Sequence, residues 1–302
     1  MAALGQIDLK GNDITTDSFD SCDPNYNDGS GGYPVGNLSK TKANGDICTD
    51  GVITDTLHVG NANIKGVVKT GPGQNTIGVG PNGSVGDRAW VEGGSSGIQT
   101  GHSATDFNVL FPSVTLPPTT WNLKVANNVT TNGTTYKYYF ATGGDYWINN
   151  LGNNDNVYIA TGANVRLKIT GNVNPSGQFV IRIAPDNATL QIFEAGSQFN
   201  LGGQAMVDNM SGHADRFILY GLPNCTSISL AGNANFYGCI YAPQAAFTLG
   251  GGGSTTYDFV GSSVTGSVTM NGHFNFHYDE CLRQKTPARG YIPTRWEETS
   301  NN

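Results

Sequence analysis

The chain is poor in charge. Asp, Glu, Lys and Arg make up 13% of its 302 residues, about half of the roughly 25% found in ordinary soluble domains. Cations are the scarcest part, with 16 Lys and Arg against 23 Asp and Glu and a formal net charge of −7. Proteins hold a phosphate backbone with clustered cations, so nucleic acid is excluded as a partner. The sequence also lacks any run of about 18 apolar residues, so no segment reads as a membrane-spanning helix. The opening Met1-Ala2-Ala3-Leu4-Gly5 has neither the basic nor the apolar stretch of a signal peptide, and it reads as part of a longer chain.

Cysteine is scarce and odd in number: Cys22, Cys48, Cys225, Cys239 and Cys281. There is no Cys-x-x-Cys pair, and only His277 lies three to five residues from a cysteine, which argues against a zinc site. The expected use is disulfides, Cys22 with Cys48 and Cys225 with Cys239, in an oxidising compartment, with Cys281 free or paired elsewhere. A packed neutral thiol is the alternative at each position.

What the chain has in excess is glycine, 42 residues or about twice the usual ~7% share. Hydrophobic residues, at 37%, are too many for disorder and come as short alternating pieces bounded by Gly, Asn, Asp and Ser. This is the pattern of strands and turns, so the fold class is all-β, and 302 residues can form one such domain.

The strands repeat. Ile228-Ser229-Leu230, Phe247-Thr248-Leu249 and Val268-Thr269-Met270 are apolar-polar-apolar triplets that end 19 and 21 residues apart. Those intervals are too short for a βαβ unit and suit one turn of a β-solenoid. Earlier copies of the phrase stand at 6–17, 57–66 and 77–86, and 157–201 supplies Val157-Tyr158-Ile159, Val165 to Ile169, Phe179 to Ile183 and Leu190 to Phe193. The expectation is one single-stranded parallel β-helix over 1–302, with a right-handed coil. Two stretches interrupt it, 18–51 and 105–155; the second carries Pro112, Pro117 and Pro118, which exclude a central strand. Asp279 to Lys285 predicts a short helix, acids first and bases last, opening a capping segment over 279–302.

Few residues are candidates for chemistry. Asp17 with Asp20, Asp208 with Asp215, and Asp279 with Glu280 are carboxylate pairs of the kind a glycosidase sets across a groove. For Asp17 and Asp20 the preferred account is turn capping by Asx hydrogen bonds. On a strand His273, Asn275 and His277 share one face, and with Asp279 they form a candidate metal set; hydrogen-bonded histidines are the preferred account. Tyr136, Tyr138, Tyr139, Phe140, Tyr146 and Trp147 form an aromatic group that fits a ligand platform or, preferably, a cap over a solenoid end. Gly78-Val79-Gly80-Pro81-Asn82-Gly83 matches Gly-x-Gly-x-x-Gly, but no helix pattern follows and so many glycines produce it by chance. No cofactor is implied.

The segment Leu230 to Pro243, the Phe259-Val260-Gly261 coil, the ending Phe276-His277-Tyr278-Asp279-Glu280, the opening Ile7 to Asn12 with Asp17-Ser18-Phe19-Asp20-Ser21, and Thr294-Arg295-Trp296-Glu297-Glu298 resemble the β-helical region of bacterial pilus-assembly proteins with a PilX-type N-terminal segment. That resemblance implies a structural or adhesive role on the cell surface or a type IV pilus. It also implies pilus or envelope proteins and surface glycans as partners, and a membrane anchor in a preceding pilin-like helix. It carries over no catalytic residues. Two other classes stay open: a carbohydrate-binding or carbohydrate-active β-helix, and an ice-binding β-solenoid displaying Ser229, Thr248 and Thr269.

Overall fold

The structure is a computed structural model covering residues 1–10, 14–51, 57–73, 77–231, 235–250 and 255–284. Within these residues the chain is all-β, with helix confined to Arg88–Glu92 and four short 3-10 turns, of which Glu280–Gln284 stands where a C-terminal helix was expected. Residues 11–13 and 251–254 and the expected capping segment beyond Gln284 lie outside the described residues.

The named strands pair in parallel, apart from the hairpin Val129–Thr131 with Thr134–Tyr136. The pairings form three ladders. The first runs through Asn122–Leu123, Gly144–Ile148, Asn164–Ile169, Thr189–Glu194 and Phe217–Gly221 to the middle of the long strands Phe236–Leu249 and Tyr257–Met270. It continues through Ala2–Ala3, Ile47–Thr49, Val68–Lys69 and Ser103–Ala104. The second joins Gln198–Leu201, Ser227–Leu230, the ends of both long strands, Ile7–Leu9, Leu57–Gly60 and Ile77–Val79. The third has two parts: Tyr138–Phe140, Val157–Ile159, Gln178–Ile183 and Gln204–Asn209, then the starts of the long strands, Phe274–Asp279, Thr15–Phe19, Asn63–Lys65, Ser84–Gly86 and Gly97–Ile98.

The triplets align in register, Ser229 opposite Thr248, Thr248 opposite Thr269, and Thr269 opposite Asp8. The copy of the phrase at the start of the chain is therefore the direct neighbour of the last one. Alternation puts the apolar member of each pair inside: Asn164–Ile169 and Gln178–Ile183 both bury every second residue. In the third ladder Phe236, Phe259 and Phe276 stack at 4.8 and 4.9 Å between centroids, a file of rings through one continuous core. Such files need backbones that approach closely. Gly261, at φ 139°, lies where a Cβ would meet the Gly238 carbonyl oxygen at 2.0 Å, so only glycine fits there.

Both interruptions lie along ladders. Residues 20–46 cover part of the third, where Tyr33 packs with Phe19 and Val260. The strand-free part of the second interruption is 105–121, because strands resume at Asn122–Leu123. This strap follows the first ladder: the Phe107 amide donates to the Thr70 carbonyl, the Tyr241 hydroxyl donates to the Pro112 carbonyl at 2.7 Å, and Trp121 packs on Phe193.

The cysteines pair otherwise than expected. Cys22 is bonded to Cys281, with Cα atoms 5.5 Å apart, while Cys48, Cys225 and Cys239 are free thiols. The cause is strand pairing. Thr15–Phe19 lies beside Phe274–Asp279 with Phe19 opposite Asp279, which brings the residues just beyond each strand together. Cys225 and Cys239 instead turn to backbone oxygens of Ser227 and Ala214.

Candidate functional site

Of the acidic and imidazole candidates, Asp17, Asp20, His277, Asp279 and Glu280 gather where residues 20–46 meet the strand Phe274–Asp279, whereas Asp208 pairs with Arg182 on another part of the third ladder. His277 is buried, with Nδ1 2.6 Å from Asp17 Oδ1 and Nε2 3.2 Å from Asp258 Oδ1. Only the doubly protonated ring donates to both carboxylates. Burial works against that charge, but the two carboxylates outweigh it and raise the His277 pKa. Burial likewise opposes the Asp258 charge, and His277 outweighs it and lowers the pKa. Tyr33 stacks on the imidazole at 3.7 Å between centroids and donates its hydroxyl to Asp17 Oδ2 at 3.0 Å. Burial and the adjacent Asp17 push the Tyr33 pKa up.

A second network lies beside it. The Glu280 carboxylate accepts from Ser18 Oγ, Asn44 Nδ2 and Lys42 Nζ at 2.8, 2.6 and 2.6 Å. Asp279 Oδ1 accepts from the Ser21 and Cys281 amides. Burial raises the Asp279 pKa. With the Cys22–Cys281 bond, these contacts clasp residues 20–46 to the last strand. Asp17 and Asp279 are thus bound up inside the clasp, whereas Asp20 Oδ1 accepts from the Cys22 amide in the expected Asx turn.

The structure does not assemble the metal set of His273, His277 and Asp279. His273 precedes the strand at φ 57°, His277 is spent on two carboxylates and Asp279 on two backbone amides. Among the described residues the one group with metal-ligand spacing is Asp20, Cys22 and Cys281, and its two sulfurs are bonded to each other. Asn275 and His277 do share a face, since both reach Asp258. No sequence motif marks Asp258, nor Glu194, a fully buried acid whose Oε2 has no partner among the described residues. Burial holds the Glu194 pKa up at about 9. Burial also raises the thiols of Cys225 and Cys239, to about 12 and about 11, so neither is a nucleophile at neutral pH. Gly93-Gly94-Ser95-Ser96-Gly97 has the letters of a nucleophile elbow, but it follows the helix Arg88–Glu92 where an elbow follows a strand.

The aromatic group is divided between ladders. Tyr136 is fully buried with its ring edge against Tyr158. Tyr138 and Phe140 start the third ladder, whereas Tyr146 and Trp147 lie in the first. Tyr146 packs against Phe140 and Tyr138 against the core.

Two open clefts flank these features. One, of about 550 Å³, lies between the strap residues Phe107, Val109 and Phe111 and the strands carrying Ala2, Cys48 and Val264, with Asp46 and Arg283 also lining it. The other, of about 480 Å³, is a groove on the third ladder lined by Thr134, Asn156, Gln178, Val180, Arg182, Gln204 and Met206. Both fall within the roughly 300–1,000 Å³ usual for small-molecule sites.

The chain belongs to a family described as a domain of unknown function (DUF7305), which matches residues 117–285. The matched part runs from the end of the strap through the clasp strand and takes in the whole groove. No curated protein and no solved structure matches the chain. Among the described residues no helix is long and apolar enough to cross a membrane.

Proposed function

We propose that the three ladders are the faces of one parallel β-solenoid, and that the chain is a non-enzymatic structural or adhesive module of the bacterial cell envelope, carried on or beside a type IV pilus. The solenoid reading is supported by the order in which the chain visits the ladders, third, first, then second, both in the long strands and from Ala2 to Val85. Together with the resemblance, the reading of function rests on one observation above all. The candidates for chemistry are buried, Asp17 and His277 bonded to each other and Asp279 to the Ser21 and Cys281 amides, which gives them a fastening role. Partners are then other pilus or envelope proteins.

The test is location. Fractionation of the native bacterium and immunogold labelling of its surface should place the protein in the envelope or on sheared pili; recovery in the cytoplasm alone refutes the reading. An ice-binding face finds less support. The file Ser229, Thr248, Thr269 is three hydroxyls long and runs into Asp8, which is paired with Lys10 at 3.0 Å. Purified protein should therefore show no thermal hysteresis.

A further inference from the structure

We infer that the groove between the hairpin Val129–Thr131/Thr134–Tyr136 and the strands Gln178–Ile183 and Gln204–Asn209 binds a neutral oligosaccharide. The inference rests on the adhesive reading and supplies its ligand class. Three rows of side chains cross the two strands in register: Gln178 with Gln204, Val180 with Met206, and Arg182 with Asp208. Rows on one face of a strand pair stand about 6.6 Å apart and neighbouring strands about 4.8 Å apart. A pyranose ring laid over Val180 and Met206 therefore sets its C–H face on an apolar strip and its hydroxyl edges against the amides on one side and the ion pair on the other.

The polar rows have capacity to spare. The side-chain amides of Gln178 and Gln204 are exposed and have no hydrogen-bond partner among the described residues. Each amide both donates and accepts, which matches the dual character of a sugar hydroxyl. Arg182 donates from Nε to Asp208 Oδ2 at 2.7 Å and from Nη1 to the Tyr136 hydroxyl at 2.8 Å, contacts that do not use Nη2 or Asp208 Oδ1. Held from two sides, the guanidinium is set in place before any ligand arrives.

Charge selects the kind of sugar. Among the described residues Arg182 is the only charged one lining the groove, and Asp208 neutralises it. A uronate, sialate or phosphorylated glycan would find no uncompensated cation, whereas a neutral chain needs none. Thr134 on the hairpin rims the groove, and its open form admits the middle of a chain as well as its end.

Isothermal titration of the full chain with cellohexaose, maltohexaose and chitohexaose tests this, with hexagalacturonate as the acidic control. At least one neutral hexasaccharide should bind with a Kd of about 1 mM or tighter. The double variant Gln178→Ala/Gln204→Ala should weaken that binding roughly tenfold, as loss of one to two hydrogen bonds predicts. Val180→Trp, which fills the apolar strip, should abolish it. Both variants alter solvent-facing positions, so unchanged melting temperatures check that the fold is kept. The inference is overturned if no neutral probe binds below roughly 10 mM, if binding survives both variants, or if hexagalacturonate binds as well and responds to them equally. Envelope location is measured separately, so either reading can fail alone.

Discussion

Glu194 offers a direct test of the buried interior. Its carboxyl is fully buried on the first ladder between Ile169 and Gly221, with one oxygen accepting from the Gly196 amide at 2.8 Å and the other unpartnered among the described residues. Burial raises its pKa from 4.5 to about 9, so the folded protein keeps the proton at neutral pH. The unfolded chain releases it above about 4.5. Between these values the folded state binds more protons than the unfolded one, and stability must fall as pH rises. The slope is about 1.4 kcal/mol per pH unit, which gives a ceiling of about 6 kcal/mol above pH 9 and roughly 2.5 kcal/mol between pH 5 and pH 7. Glu194→Gln keeps the shape of the neutral acid and removes the proton. Urea denaturation of both proteins from pH 5 to pH 9.5 should give stability curves that diverge steadily, the variant gaining as pH rises. His277 also loses its stabilising effect with rising pH, but it is present in both chains and cancels in the difference. Parallel curves would show that Glu194 is ionised or solvated in the folded protein and would sink the reasoning.

Other perturbations read other parts of the molecule. Phe259→Ala, which removes the middle ring of the buried file Phe236, Phe259, Phe276, should cost about 3–5 kcal/mol in chemical denaturation. His277→Gln leaves Asp17 and Asp258 without their shared cation and should cost about 3–5 kcal/mol. Because the pKa of His277 is raised above its ordinary 6.5, that cost should be largest below about pH 6.5 and shrink as pH climbs through the raised value; a cost independent of pH argues that the ring is neutral. Cys22→Ser opens a loop whose ends are 259 residues apart and should lower stability by roughly 2–5 kcal/mol. Limited proteolysis should then cut first within residues 20–46.

Repetition made the ladders legible. Ser229, Thr248 and Thr269 were recognisable as equivalents because a parallel ladder needs the same inward and outward pattern in each strand, and the phrase at Ile7-Asp8-Leu9 fits beside the last copy for the same reason. The strap was marked by Pro112, Pro117 and Pro118, but the strands after it, though punctuated by Asn132-Gly133 and Gly143-Gly144, were taken into the same interruption. The cysteine pairing was hidden. Nearness in sequence favoured Cys22 with Cys48 and Cys225 with Cys239, while the true partner of Cys22 is set by two strands at opposite ends of the chain. The clasp was half visible: Asn275 and His277 on one face could be read from alternation, but their partner Asp258 lies on the neighbouring strand and Tyr33 in a segment without periodicity. The groove was not readable, because Gln178 and Gln204 become neighbours only through a register that no local pattern gives.

The bond between Cys22 and Cys281 also decides how the molecule carries a load. Tension applied upstream of Cys22 and downstream of Cys281 passes from one cysteine straight to the other, so the segment between them lies outside the covalent line of force. While that bond holds, such a pull can peel away only chain outside the two cysteines. The groove on the third ladder lies between the two cysteines and so stays out of the line of force, and reduction of one bond would place all the strands between in series with the pull.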